Sequence, residues 1–95
     1  MSLQIKRSDK ADKKFVAIFK RENGREKRVH FGGKGYSDYT KHKDKERRRL
    51  YRLRHKNDRI NDPESPGSLS WYILWGDSTS LQENIKKFKR RFKLK

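Results

Sequence analysis

Apolar residues gather in four stretches of the chain, and each stretch has its own period. The first predicts a β-hairpin. Phe15-Val16-Ala17-Ile18-Phe19 is rich in strand formers, and Arg28-Val29-His30-Phe31 alternates polar with apolar. Between them stands Asn23-Gly24, a strong turn signal, because a type I′ turn needs positive φ at both central residues. A two-residue loop there sets Ile18 opposite Val29 and Val16 opposite Phe31. Val16, Ile18, Val29 and Phe31 then form the core face, while Phe15, Ala17 and Phe19 share the other face with Arg28 and His30. Two strands alone are marginal in water, so helices must cover the core face. Upstream, Leu3 and Ile5 alternate with polar neighbours, which allows a third short strand. Residues 1–13 are otherwise read as a flexible basic segment ahead of one small domain, 14–95.

The second stretch is sparse. Ser37 or Asp38 suits a helix N-cap, and the pattern predicts one helix from about Tyr39 to Lys56. Tyr39, Leu50, Leu53 and Tyr51 are its core candidates, with Ile60 following. Gly32-Gly33-Lys34-Gly35 ahead of it lacks the Lys-Ser/Thr of a nucleotide-binding P-loop and reads as a strand-to-helix link. Asn61–Ser68, with Pro63 and Pro66, is a loop that stops the preceding helix.

The third stretch, Leu69–Trp75, is apolar on nearly every side and predicts a short buried helix, capped by Ser65 or Ser68 and stopped at Gly76. In the fourth, Ser80-Leu81-Gln82-Glu83 matches a capping box, and Leu81, Ile85, Phe88 and Phe92 make one stripe at helical spacing. The expected fold is α+β: an N-terminal hairpin packed against three helices, in the order β-β-α-α-α.

Composition changes the picture in one respect. The 95 residues hold 28 Lys+Arg against 12 Asp+Glu, a formal charge of +16, with only 29% hydrophobic residues. Such a balance borders on disorder, but the 11 aromatic residues fall in patterned segments and argue for a small folded domain of marginal stability. Cys is absent, which excludes a disulfide framework and thiolate metal sites. No apolar run approaches a membrane span, and Met1–Lys14 lacks the apolar region of a secretory signal. An intracellular protein, or one packaged inside a particle, is the simplest expectation.

The charge is unevenly spread: residues 1–60 hold 21 Lys/Arg and 8 Asp/Glu, and residues 61–95 hold 7 and 4. Mixed signs would suffice for solubility, so a one-sided excess points to a polyanion. Arg47, Arg48, Arg52, Lys56 and Arg59 are expected on one side of the long helix. Lys34, Lys41 and Lys43 flank its N-terminus, whose amides offer a further phosphate contact. Arg28 and His30 lie on the hairpin face away from the core. No base-reading device accompanies these residues, so weak sequence preference is expected. His42 and His55 stand thirteen residues apart with no carboxylate cluster, which disfavours a metal or nuclease centre; Ser37 and Asp38 read as caps. No catalytic constellation and no cofactor is expected.

The segment His30-Phe31-Gly32-Gly33-Lys34-Gly35-Tyr36-Ser37-Asp38-Tyr39-Thr40-Lys41-His42-Lys43-Asp44 resembles a family of small, uncharacterised basic proteins encoded by large double-stranded DNA viruses of eukaryotes. The basic stretch Arg48–His55, the turn at Asp62-Pro63, the pair Leu74-Trp75 and the C-terminal basic helix extend the likeness over residues 14–92. It departs at 57–60, where Ile60 replaces an expected aromatic. The resemblance implies a viral source and a virion component, located in the virion, the host nucleus or a cytoplasmic viral factory, and implies no activity.

Charge and resemblance together lead to the expectation of a non-enzymatic protein that binds double-stranded DNA without sequence preference and organises or condenses a genome. Two alternatives stand beside it. One is a minor virion protein bridging acidic protein surfaces, as a homodimer or with other virion proteins, through Trp71, Trp75, Phe15 and Phe19. The other is RNA binding with bases stacked on the Phe15–Phe19 face.

Overall fold

Strands β1 (Ser2–Arg7), β2 (Lys13–Lys20) and β3 (Glu26–Gly33) form an antiparallel sheet in the order β1-β2-β3. The computed structural model describes residues 1–95. The third strand is therefore present, and the N-terminal residues are no appendage. Leu3 is buried in the core, and the outer edge of β1 meets the C-terminus, with Leu3 N–H donating to the Lys95 carbonyl at 3.0 Å and Lys95 N–H to the Met1 carbonyl at 3.1 Å. Pairing on both edges ties down a segment whose composition alone reads as flexible.

The hairpin forms one residue out of the expected register. Arg21 N–H donates to the Arg25 carbonyl at 2.8 Å, and Gly24 N–H to the Arg21 carbonyl at 2.9 Å, so the loop is Glu22-Asn23-Gly24. Only Gly24 has positive φ (+86°), which a type I turn closed by a left-handed glycine needs and a type I′ turn does not satisfy. Phe15 thus pairs with Phe31, Ala17 with Val29 and Phe19 with Lys27. A one-residue slip reverses every side chain of the strand. Phe15, Ala17 and Phe19 join Val29 and Phe31 on the core face. Val16 and Ile18 move to the other, opposite His30 and Arg28, where as residues of the middle strand they are still only 4% and 7% exposed. The slip thus brings Phe19 into the core and Phe15 to its margin while Val16 and Ile18 stay buried, which removes more apolar area from water than the expected register.

The long helix is divided. α1 (Tyr39–His42) is capped by Asp38, and α2 (Lys45–Arg54) by Asp44, whose Oδ1 accepts from Glu46 N–H at 2.9 Å and Arg47 N–H at 3.3 Å. Lys43 between them is left-handed (φ +58°). Asp44 satisfies the first amides of α2 with its own carboxylate, a local bond that competes with a continuous helix. The break reorients α2: Tyr51 is buried, whereas Leu50 and Leu53, expected in the core, are 40% and 53% exposed.

α3 (Pro66–Leu69) begins with Pro66 behind the Ser65 cap and continues as a π-helical turn, Ser70–Leu74. α4 (Leu81–Arg91) starts at Ser80, whose Oγ accepts from Glu83 N–H at 3.2 Å. The fold is α+β, with the helices on one face of the sheet. Leu69, Ile73, Leu74 and Phe88 meet Leu3, Ala17, Phe19, Val29 and Phe31 in the core, and Leu81, Ile85 and Phe92 of the predicted stripe pack at its margin. No helix is long and apolar enough to cross a membrane.

Candidate nucleic-acid interface

Helical spacing brings basic residues from two elements to one place. Arg48 and Arg52, four apart, share a face of α2; Lys87, Arg90 and Arg91, three and four apart, share a face of α4. These faces form the walls of an open cleft of about 680 Å³ whose lining includes Trp71, Tyr72, Gly76 and Phe88. Two guanidinium groups lie on aromatic rings: Arg52 Cζ is 4.3 Å from the centre of Trp71, and Arg91 Cζ is 4.6 Å from that of Tyr72. Arg48 Nε donates to the carbonyls of Trp75 (3.2 Å) and Gly76 (2.8 Å), which fixes its guanidinium between α2 and the residues after the π-helical turn.

The cleft is electrostatically one-sided. Its one acid, Asp77, accepts from Lys87 Nζ at 3.0 Å, and that bond holds the Asp77 carboxyl below the usual carboxylate range. Arg48, Arg52, Arg90 and Arg91 have no carboxylate within 4.0 Å. Burial, and after it the like charge of Arg48, pulls Arg52 below the ordinary arginine value. Arg52 Nε is buried with no hydrogen-bond partner. Elsewhere arginines find acids: Arg21 with Glu64, Arg28 with Glu26, Arg47 with Asp44 and Arg49 with Glu46.

The ten residues expected to contact nucleic acid do not form one surface. Arg48 and Arg52 enter the cleft. Arg47 faces a separate hollow with Ser37, His42, Leu50, Arg54 and Trp75. Lys56 and Arg59 lie beyond the end of α2, and Lys34, Lys41 and Lys43 are exposed around α1. Arg28 and His30 are on the sheet face away from the helices, where the His30 Nδ1 pairs with Ser8 Oγ at 2.7 Å. The α1 amides are not free for phosphate, because the Asp38 carboxylate accepts from Thr40 N–H at 3.0 Å and places negative charge there.

Four cleft residues were not among the expected contacts, Tyr72, Lys87, Arg90 and Arg91, and Trp71 was expected only in an apolar contact patch. Their signal was present as a basic face on the last helix, beside the stripe that predicted core. What was missing was the partner wall. The histidines hold structural positions. His55 stacks on Tyr51 (ring centres 4.2 Å apart), which stacks on Trp75 (4.2 Å), while His42 Nδ1 accepts from Asp44 N–H at 2.9 Å.

A family model, described as a family of unknown function, DUF5754, matches residues 3–55. The chain belongs to DUF5754. No curated protein and no solved structure matches it. The DUF5754 match spans the sheet, α1 and α2, and so includes Arg48 and Arg52; the aromatic residues and the α4 wall of the cleft fall outside it.

Proposed function

We propose that this DUF5754 protein is a nucleic-acid-binding protein that contacts phosphates with little sequence preference, favours double-stranded DNA, and organises or condenses a viral genome. One observation carries the reading. Only seven of the 28 Lys/Arg side chains lie within 4.0 Å of a carboxylate, leaving 21 unpaired on a body of 42 × 29 × 24 Å. Self-repulsion at that density opposes folding, and a polyanion relieves it. The resemblance of residues 14–92 to basic proteins of large DNA viruses supports the genome role and the virion, nucleus or viral factory as its place.

The test is binding to duplex DNA, single-stranded DNA and RNA side by side at graded salt. With six to ten phosphates neutralised, log K against log salt should fall with a slope of about −5 to −9 on duplex DNA, independent of sequence. Absence of duplex binding at low salt overturns the proposal. The alternatives have lost support on specific grounds. Phe19 is fully buried and Phe15 packs on Phe31 at 5.8 Å, so the sheet offers no aromatic platform for RNA bases. Trp71 is buried in the same chain, with Arg52 over its ring, which removes it from an apolar patch for other virion proteins or a second copy.

A further inference from the structure

A duplex, whose major groove alone is about 12 Å wide, is too bulky to enter a cleft of about 680 Å³. The cleft has the size of a small-molecule site and an aromatic floor. None of its four arginines has a carboxylate within 4.0 Å, and its single acid, Asp77, is paired with Lys87, whereas arginines elsewhere in the protein pair with acids directly. Arg52 is the extreme case: its Nε is buried without an acceptor, and its guanidinium lies over the face of Trp71. Holding Arg48 and Arg52 together without an anion costs free energy, and so marks a site prepared for one.

Phosphate is the anion that matches. Guanidinium groups present forked donors to phosphate oxygens, and two walls of them can grip one or two phosphate groups from both sides. The guanidinium–aromatic layers, Arg52 on Trp71 and Arg91 on Tyr72, add flat cationic faces on which a nucleic-acid base stacks. We infer that the cleft between α2 and α4 is a nucleoside-phosphate site, in which Arg48, Arg52, Arg90 and Arg91 hold the phosphate groups and an unpaired base lies against the guanidinium–aromatic layers. The occupant is either a free nucleotide or an unpaired nucleotide of a strand. This site is distinct from the duplex surface and does not depend on it.

The experiment follows tryptophan fluorescence of the full chain during titration with adenosine diphosphate, a short oligothymidylate, pyrophosphate, and an oligo-glutamate peptide. Adenosine diphosphate or the oligonucleotide should give a saturable change at constant ionic strength. Arg52→Gln and Arg91→Gln should each weaken it about tenfold or more, the usual worth of a lost charge-assisted hydrogen bond. Arg91 is an exposed residue, so Arg91→Gln reports on the site even if Arg52→Gln fails to fold. Equal binding of the two nucleotide probes identifies a free-nucleotide site; much tighter binding of oligothymidylate identifies a strand site. Pyrophosphate or oligo-glutamate binding as tightly as either overturns the inference, as does a response unchanged in Arg91→Gln. Duplex affinity should change less than about threefold in Arg91→Gln, since Arg91 lines the cleft and is not one of the six to ten duplex contacts. The two proposals therefore fail separately.

Discussion

Lys14 on β2 and Asp38 at the head of α1 form an ion pair that joins the sheet to the helices: Nζ lies 2.7 Å from Oδ2, and the side chains are 9% and 2% exposed. The other Asp38 oxygen accepts from Thr40 N–H at 3.0 Å and from the Thr40 hydroxyl. One carboxylate thus neutralises a buried ammonium and caps a helix. Removing it strands the ammonium. Asp38→Leu should cost about 3–5 kcal/mol, as for one partner of a buried pair. Replacing both partners, with Lys14→Met and Asp38→Leu, removes the stranded charge and should cost less than the sum of the two single changes. Denaturant unfolding of the two single variants and the double variant measures this; additive losses would show that the pair is not coupled.

The turn after Trp75 depends on a residue without a side chain. A Cβ on Gly76 would sit 2.2 Å from the Tyr72 carbonyl oxygen and 2.9 Å from the Asn84 amide. Asn84 cannot move aside, because its amide donates to the carbonyls of Ile73 (2.9 Å) and Ser78 (2.7 Å) and its oxygen accepts from Ser78 N–H (3.2 Å). Gly76→Ala should therefore cost about 3 kcal/mol or more. Gly24→Ala is the control: φ is positive there (+86°), unlike at Gly76, but nothing lies within 4 Å of the added carbon, so only about 1 kcal/mol should be lost. Thermal unfolding of the two variants under one set of conditions should rank them in that order.

What could be read from the chain followed from local chemistry. Ser80 and Ser65 cap because their hydroxyls reach amides three residues on, and the Leu81–Phe92 stripe packs as its spacing requires. The register of β2 was not legible. Phe15-Val16-Ala17-Ile18-Phe19 has no polar alternation, so either face can be the core, and the choice fell to the turn. Asn23 lacks the positive φ that a two-residue loop demands, and one extra loop residue exchanged the faces. The break at Lys43 was hidden because Asp44 inside a charged run looks like any surface acid. The cleft was half legible: Arg48 and Arg52 stood out on α2, but only the packing of α4 supplies the opposite wall.

Helix α4 ends in a motif that favours glycine and lacks one. Lys93 has φ +55°, Lys93 N–H donates to the Arg90 carbonyl at 3.4 Å and Leu94 N–H to the Lys89 carbonyl at 2.7 Å. These are the paired bonds of a Schellman ending, whose left-handed residue is commonly glycine. Lys93→Gly should stabilise the protein by about 1 kcal/mol, since a residue with Cβ is strained in that conformation. Removing one of many like charges adds in the same direction. Lys89→Gly, inside the helix, should have the opposite sign, costing about 1 kcal/mol of helix propensity. A melting temperature that falls in Lys93→Gly would contradict the reading of this helix end.

Tyr51 links stability to alkaline pH. It is buried, stacked 4.2 Å from Trp75, and burial, aided by the negative charge of Asp58, pushes its hydroxyl up to about 12. The unfolded chain releases the same proton near pH 10. Between these values the unfolded state binds fewer protons than the folded one, so stability falls as pH rises, by up to about 3 kcal/mol once the folded-state value is passed; below pH 10 the group contributes no pH dependence. The lysines lose charge in the same range and relieve repulsion, so the tyrosine effect must be isolated by comparison. Tyr51→Phe keeps the stacked ring and removes the proton. The stability difference between the parent protein and Tyr51→Phe should be constant from pH 7 to about pH 10, then shift progressively in favour of the variant. Denaturant midpoints across that range measure it, and a difference that stays flat to pH 12 would mean that Tyr51 titrates as though exposed.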